Sequence, residues 1–294
     1  MNFRNYLRAG NSALIAYSPR LSRRDDERIE SIRQDLSALR VKFDGLILYG
    51  SDDGTSLIIE NAIRLRYRAI LLTIGNPQSQ AEIALVCDLI RRYSRKLTLA
   101  VSVGSEGILL HQYSTSDLRI ARQSLLSRLA GRASIETTTS EPWWLYLDGQ
   151  PDASDLRGFG DFVTINVHVV WDADILDPVE AARWTRDRAL TVLKLSNRPV
   201  LVREAGFPGG GTSPRPSLHG ARFSRDAQAG FWRAWLGYRT PKAASADSLF
   251  TVAVFEAIDN SAKTWADFES EWGLLSTSLD PHPAWKVFPF LMEQ

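Results

Sequence analysis

Eight short apolar segments, each followed by a charged stretch with helical spacing, set the strongest limit on what this chain can fold into. They lie at residues 14–17 (LIAY), 45–49 (GLILY), 69–74 (AILLTI), 97–103 (LTLAVSV), 134–138 (SIETT), 161–168 (DFVTINVH), 198–204 (RPVLVRE) and 249–256 (LFTVAVFE). Segments of this length that are apolar along most of their run, rather than alternating, indicate parallel strands covered by helices. The stretches between them carry the period of an amphipathic helix. Ile29, Ile32, Leu36 and Leu39 share one face while Arg and Asp occupy the other. Similar helices are predicted near 54–67, 78–95, 115–131, 177–196 and 224–238. Eight such units place the chain in the α/β class, and closure into one (β/α)8 TIM barrel is the economical arrangement. An open doubly wound sheet would need a Gly-rich phosphate turn after its first strand, where this chain has Ser18, Pro19 and Arg20. The 294 residues suit a single barrel domain, 1–294, with residues 1–10 expected as a flexible N-terminal extension.

Charge narrows the partners. The 35 Lys and Arg residues nearly cancel the 34 Asp and Glu residues, so no overall field favours nucleic acid or an anionic membrane, and a neutral partner is expected. Nine tryptophans are many for a chain of this size, and such rings stack on the apolar faces of sugars as well as filling cores. The single cysteine, Cys87, sits in the apolar helical run AEIALVCDLI, which excludes disulfides and cysteine-based metal sites. The N-terminus has no signal-peptide apolar core, and no run approaches a membrane span. A domain taken from a longer exported or membrane-tethered polypeptide would read the same, so a periplasmic or extracellular location stays open. A monomer is expected.

In a (β/α)8 barrel the reactive groups gather at the C-terminal ends of the strands. Strand four ends in Val103-Gly104-Ser105-Glu106, and strand seven in Arg203-Glu204-Ala205-Gly206-Phe207-Pro208. Two carboxylic acids facing each other across the mouth can flank a glycosidic bond, one protonating the leaving oxygen and the other attacking the anomeric carbon. Either glutamate alone is better explained as a helix cap or a partner of Arg203.

The sequence around the two acids resembles glycoside hydrolase family 17, the β-1,3-glucanase family. VSVGSE at 101–106 is similar to its V-G-N-E, and VREAGFPGGG at 202–211 to its T/S-E-T/S-G-W-P-S-x-G. FEAIDNSAK at 255–263 and FESEWGLL at 268–275 resemble the bacterial F-E-A-F-D-E-P-W-K and E-x-x-W-G-L-F segments. TTSEPWW at 138–144 resembles a strand-five segment, and NVHVVW at 166–171 the strand-six N-x-H-P-x-W. The order and spacing of these fragments cover most of the chain. The resemblance implies a retaining enzyme on β-1,3-glucan or its oligosaccharides, with no cofactor and no metal, Glu106 as acid/base and Glu204 as nucleophile. It also implies sugar contacts from Ser105, Asn166, His168 and Glu256.

Other residues have two readings each. Lys263 can hold a nearby carboxylate charged or be a solvated loop lysine. Tyr49 can bond the nucleophile or a sugar hydroxyl, or be a rim residue, and Tyr17 has the same choices. Trp171, Phe207 and Trp272 are candidate stacking platforms or lid packing. The chain departs from the family pattern at Ser105 (asparagine), Phe207 (tryptophan), Asn260 (glutamate) and Ala262 (tryptophan), which suggests altered substrate or acceptor preference. Asp52 and Asp53 read as a helix start rather than a cation site. His111, His168, His219 and His282 show no metal-ligand spacing, and His168 is expected as a hydrogen bonder. Three functions are therefore compatible with the sequence. These are a β-1,3-glucan hydrolase, a transglycosylase sharing its intermediate, and a glucan-binding barrel without turnover.

Overall fold

The computed structural model describes residues 2–9, 13–19, 25–52, 54–131, 134–237, 250–276 and 284–286. Its core is a closed barrel of eight strands, every neighbouring pair parallel and in chain order. The strands are β1 (Leu14–Tyr17), β2 (Gly45–Leu48), β3 (Ala69–Ile74), β4 (Thr98–Ser105), β5 (Glu136–Pro142), β6 (Val163–Asn166), β7 (Val200–Ala205) and β8 (Phe250–Val254). The main outer helices are α2 (Asp25–Arg40), α3 (Thr55–Arg64), α4 (Gln80–Tyr93), α5 (Thr115–Leu129), α8 (Pro178–Ser196) and α9 (Arg225–Gly237). The sequence places capping groups at their starts: Ser79 Oγ accepts from the Glu82 amide, Asp177 from the Glu180 amide, and Ser114 with Asp117 forms a reciprocal box at α5.

The N-terminal residues are not a loose extension. Residues Phe3–Arg8 form α1, and Phe3, Tyr6 and Leu7 are buried in one apolar cluster with Leu14, Ile47, Leu71, Phe162 and Leu201. This cluster fills the lower barrel interior, and Phe3 stacks on Phe162 with ring centroids 5.6 Å apart. Higher in the barrel the inward residues are polar: Thr73, Ser102, Thr138, Thr164 and Arg203 are all buried. They satisfy one another, as where Thr138 Oγ1 lies 2.9 Å from Thr164 Oγ1 and donates to the Phe162 carbonyl. The interior therefore grades from apolar at the base to acidic at the mouth.

The ends of β2, β4, β7 and β8 move by one or two residues from the sequence expectation, and β5 and β6 differ in ways that bear on the mouth. β5 starts two residues later than 134 and runs four residues past 138, buried throughout: Thr138 and Ser140 bond across the interior to Thr164 and Asn166, while Thr137 bonds Arg122 and Asp161. β6 stops at Asn166, so His168 is not a strand residue. It is the N-cap of α7 (Val169–Asp172), a short helix that, like α6 (Ala153–Gly158), the periodicity did not announce. Strand register shifts between Ser102 and Ser105, between Ile165 and Asn166, and between Val202 and Ala205. Such irregularities re-aim side chains, and all three lie where the strands reach the mouth.

Candidate active site

The mouth opens into a cavity of about 690 Å³ bordered by both sequence-predicted acids. Gly104, at φ +82°, lets β4 turn into the loop that carries Glu106, itself left-handed at φ +55°. A side chain at Gly104 would press on the Tyr113 hydroxyl and Leu118. The loop is pinned from three sides. Glu106 N donates to the Ser140 carbonyl at 2.8 Å, Gly107 N to the Tyr113 hydroxyl at 3.0 Å, and the amides of Ile108 and Leu109 to the two oxygens of Glu141 at 3.0 and 3.2 Å. Glu141 closes β5 and is fully buried. Burial raises its pKa to about 7 against those two amide bonds.

Glu106 accepts from Asn166 Nδ2 at 2.8 Å, and Asn166 Oδ1 accepts from Ser140 Oγ at 2.8 Å, which fixes the amide's orientation. Opposite it, Glu204 is 7% exposed and lies 3.0 Å from His168 Nε2. One oxygen each of Glu106 and Glu204 and a ring nitrogen of His168 lie within 4.8 Å of one another. These three are also, among the described residues, the one group whose side chains could grip a metal ion; here each is engaged by a hydrogen bond.

The two acids are driven apart in pKa. Burial raises Glu106 above the ordinary carboxylate value, and the Glu204 charge adds to this against smaller opposing effects of His168, Asn166 and Arg203. Glu204 would also be raised by burial, but the hydrogen bond and charge of His168, with Arg203 and Lys263 behind them, hold it below the ordinary value. Burial would lower His168, yet its bond to Glu204 and the surrounding acids raise it, so the pair favours imidazolium and carboxylate. One acid that keeps its proton and one that loses it is what acid-assisted displacement requires.

The remaining predicted residues divide. Ser105, Tyr49, Asn166, His168, Trp171, Glu256, Lys263 and Trp272 all border the cavity. Lys263 Nζ donates to Glu256 Oε1 at 2.6 Å and sits 4.3 Å from the Phe255 ring centroid. Even so, burial keeps the Glu256 pKa up at about 7. The Tyr49 hydroxyl is buried beside Glu204, and burial followed by the Glu204 charge pushes it well above the ordinary phenol range. Trp171 is 40% exposed at the rim, its indole N–H donating to Glu269 at 2.9 Å. Trp272 is fully buried, with its ring edge-on to His168 and Phe255, so it shapes the wall rather than offering a free face.

Tyr17 and Phe207 are not brought to the cavity. The Tyr17 hydroxyl donates to Asp35 of α2 at 3.2 Å, on the outer side of the barrel wall. Phe207 is 1% exposed and packs against Phe223 and Phe231, so it is a core residue and not a stacking platform. Asp52 bonds Thr55 at the start of α3, while Asp53 and His282 lie outside the described residues. Sequence reading missed the roles of Glu141 and Asp172, and the rim residues Trp144 and Trp265. Asp172 accepts from the Trp143 indole at 3.0 Å and borders the cavity.

The sequence matches the family described as the BtgE/BtgC glycoside hydrolase domain over residues 15–273. No curated protein matches it. Among solved structures, the chain is similar to three β-glucuronidases. For that of Parabacteroides merdae the TM-score is 0.62 at 11% identity, covering 93% of this chain and 36% of that one. For the Faecalibacterium prausnitzii enzyme it is 0.61 at 13% identity, covering 93% and 46%. For the Ruminococcus gnavus enzyme in complex with D-glucuronic acid it is 0.59 at 14% identity, covering 94% and 47%. The chain thus spans less than half the length of these proteins, and the likeness shows the fold.

Proposed function

Because the chain belongs to the BtgE/BtgC glycoside hydrolase domain family, we propose that it is a retaining enzyme on β-1,3-linked glucan, working through a covalent glucosyl intermediate. The observation that carries this reading is the pair Glu106 and Glu204, with carboxylate oxygens within 4.8 Å and pKa values displaced in opposite directions. Inverting enzymes separate their carboxyl groups by roughly 6.5–9.5 Å to admit a water, whereas double displacement uses about 5–5.5 Å. Glu106 donates its proton to the glycosidic oxygen as Glu204 attacks the anomeric carbon and the C–O bond breaks. Glu106, now a carboxylate, then takes a proton from the incoming water as the bond to Glu204 breaks. Asn166 holds the acid in place and His168 keeps the nucleophile ionised.

The cavity's charge favours a neutral sugar. Its walls carry the carboxyl groups of Glu106, Asp172, Glu204, Glu256 and Glu269, against His168, which is engaged with Glu204, and Lys263, which is engaged with Glu256. A uronic acid would bring one more negative charge into this space, where the described residues offer no unengaged cation to meet it. The β-1,3 linkage itself is supported by the resemblance to glycoside hydrolase family 17.

A second reading keeps the same intermediate and resolves it with a sugar hydroxyl. It is favoured by the apolar wall beside the acid/base, where Leu109, Leu110, Pro142 and Trp144 offer a surface for an acceptor sugar. Mass analysis of laminari-oligosaccharide digests separates the readings. Hydrolysis gives only products shorter than the input, and transfer gives longer ones. Both are lost in Glu204→Gln by at least about 10⁴-fold. Equal activity of Glu204→Gln and the unmutated chain would remove the catalytic assignment, and binding without any product would leave a glucan-binding barrel.

A further inference from the structure

Glu106 follows β4 and Glu204 lies in β7, strands that share no backbone ladder. Between them stand β5 and β6, and the pairings of β4 with β5 and of β6 with β7 both shift register where the strands reach the mouth. The spacing of the two acids is therefore left to side chains. Asn166 and His168 hold one acid each from the β6 side. A further contact reaches directly from β7 to β4. Arg203, next to the nucleophile, is fully buried and donates from Nη1 to the Oγ of Ser105, next to the acid, at 2.6 Å. Its second prong donates from Nη2 to Thr73 Oγ1 of β3 at 3.0 Å, and Thr73 donates onward to the Leu48 carbonyl of β2 at 2.6 Å. The guanidinium also lies 4.4 Å from the Tyr49 ring centroid, so the fork is held in one orientation.

Both ends of this contact are places where the chain departs from the family 17 pattern. That pattern has asparagine before the acid and threonine or serine before the nucleophile, where this chain has Ser105 and Arg203. The two changes fit each other. With Nη1 already 2.6 Å from Ser105 Oγ, a longer amide side chain at 105 would displace the guanidinium. A serine at 203 would empty the room that the guanidinium fills and leave Ser105 and Thr73 without their donor. Charge enters beside shape, because Arg203 favours the carboxylate form of both Glu106 and Glu204.

We propose that Arg203 and Ser105 form one unit, a strap across the barrel interior that sets the placement of the acid against the nucleophile, and that the two residues are exchangeable only together. Both are positioning residues, acting through Glu106 and Glu204. The inference rests on the glycosidase reading for its activity readout.

The test is a set of pH profiles of kcat/KM on an aryl β-laminaribioside for Ser105→Asn, Arg203→Ser and the double variant, with each fold checked by circular dichroism. Each single variant should lower the plateau roughly 100-fold, as an ångström's displacement of an acid does, and the double should recover to within about tenfold of the unmutated chain. Both limbs of the profile should stand at higher pH in Arg203→Ser and in the double, which lack the guanidinium charge, and should stay in place in Arg203→Lys, which keeps a charge but not the fork. A steric role alone would leave the limbs unmoved in every variant. A double no more active than its weaker single, or limbs that do not move when the charge is removed, overturns the proposal. Folding of the double where Arg203→Ser does not fold is the same rescue read on stability, and failure of both to fold overturns the exchange. Turnover by the unmutated chain is read separately. If it is absent, the glycosidase reading falls and the strap is judged by carboxyl NMR titration of Glu106 and Glu204, each assigned by its Gln variant. Both should titrate at higher pH once the Arg203 charge is removed, and unmoved titrations overturn the strap.

Discussion

At the scale of single residues, the site is organised by which acid is relieved of its charge and which is compelled to keep it. Glu106 is raised by burial and by the neighbouring Glu204, so it holds its proton above the ordinary carboxylate value. Glu204 is buried more completely but is held below that value by His168, Arg203 and Lys263. The nucleophile must be ionised, so kcat/KM should rise with pH through the lowered Glu204 pKa. The acid must be protonated, so kcat/KM should fall through the raised Glu106 pKa. His168 lowers both groups, and His168→Asn should therefore move both limbs of the profile to higher pH, with the plateau reduced by up to roughly 100-fold through loss of positioning. A pH–rate profile of the variant checks this. An unmoved acidic limb would mean that His168 does not set the charge of Glu204.

At the scale of elements, the acid is delivered by a loop whose conformation depends on the neighbouring strand. Glu141 at the end of β5 accepts the amides of Ile108 and Leu109, just past the left-handed Glu106. Removing it as Glu141→Ala would leave two amides short of partners, at about 1–3 kcal/mol each. A displacement of the acid by an ångström lowers kcat by roughly 10²-fold. Hydrogen exchange should accelerate at Ile108 and Leu109 in that variant and recover in part in Glu141→Gln, which keeps one acceptor oxygen. Unchanged exchange would show that the loop holds its own shape. Glu141 also marks the boundary of what the sequence discloses. The eight-unit alternation was legible because outer strand faces and helix faces are apolar, and Glu106, Asn166 and Glu204 drew attention because they lie at or just past strand ends, whereas Lys263, in the loop after β8, was singled out only through the family resemblance. β5 reads ETTTSEP, a fully buried but polar run, so hydropathy ended it early and hid Glu141. Phe207 and Tyr17 erred in the other direction. Both follow or close strands, but their side chains turn outward into packing with helices or their neighbours, which residue type and chain position do not reveal.

At the scale of the whole molecule, the barrel separates stability from chemistry along its axis. The base is sealed by α1 and an apolar layer, the middle carries a hydrogen-bonded polar layer with Arg203, and the mouth holds the acids of the cavity wall, Glu106, Asp172, Glu204, Glu256 and Glu269 among the described residues. That gradient lets charged groups be buried near the mouth without weakening the lower core. The tryptophans Trp144, Trp171 and Trp265 rim the opening, where a sugar chain would lie against them. What joins these features is the assignment of nucleophile and acid to opposite sides of one opening. Azide rescue of Glu204→Gly on an aryl β-glucoside tests it most directly. With the nucleophile's space vacated and the acid intact, azide should attack from the nucleophile's face and yield the α-glucosyl azide. Formation of the β-glucosyl azide, or no rescue in a folded variant, would contradict the assignment of Glu204 as the nucleophile.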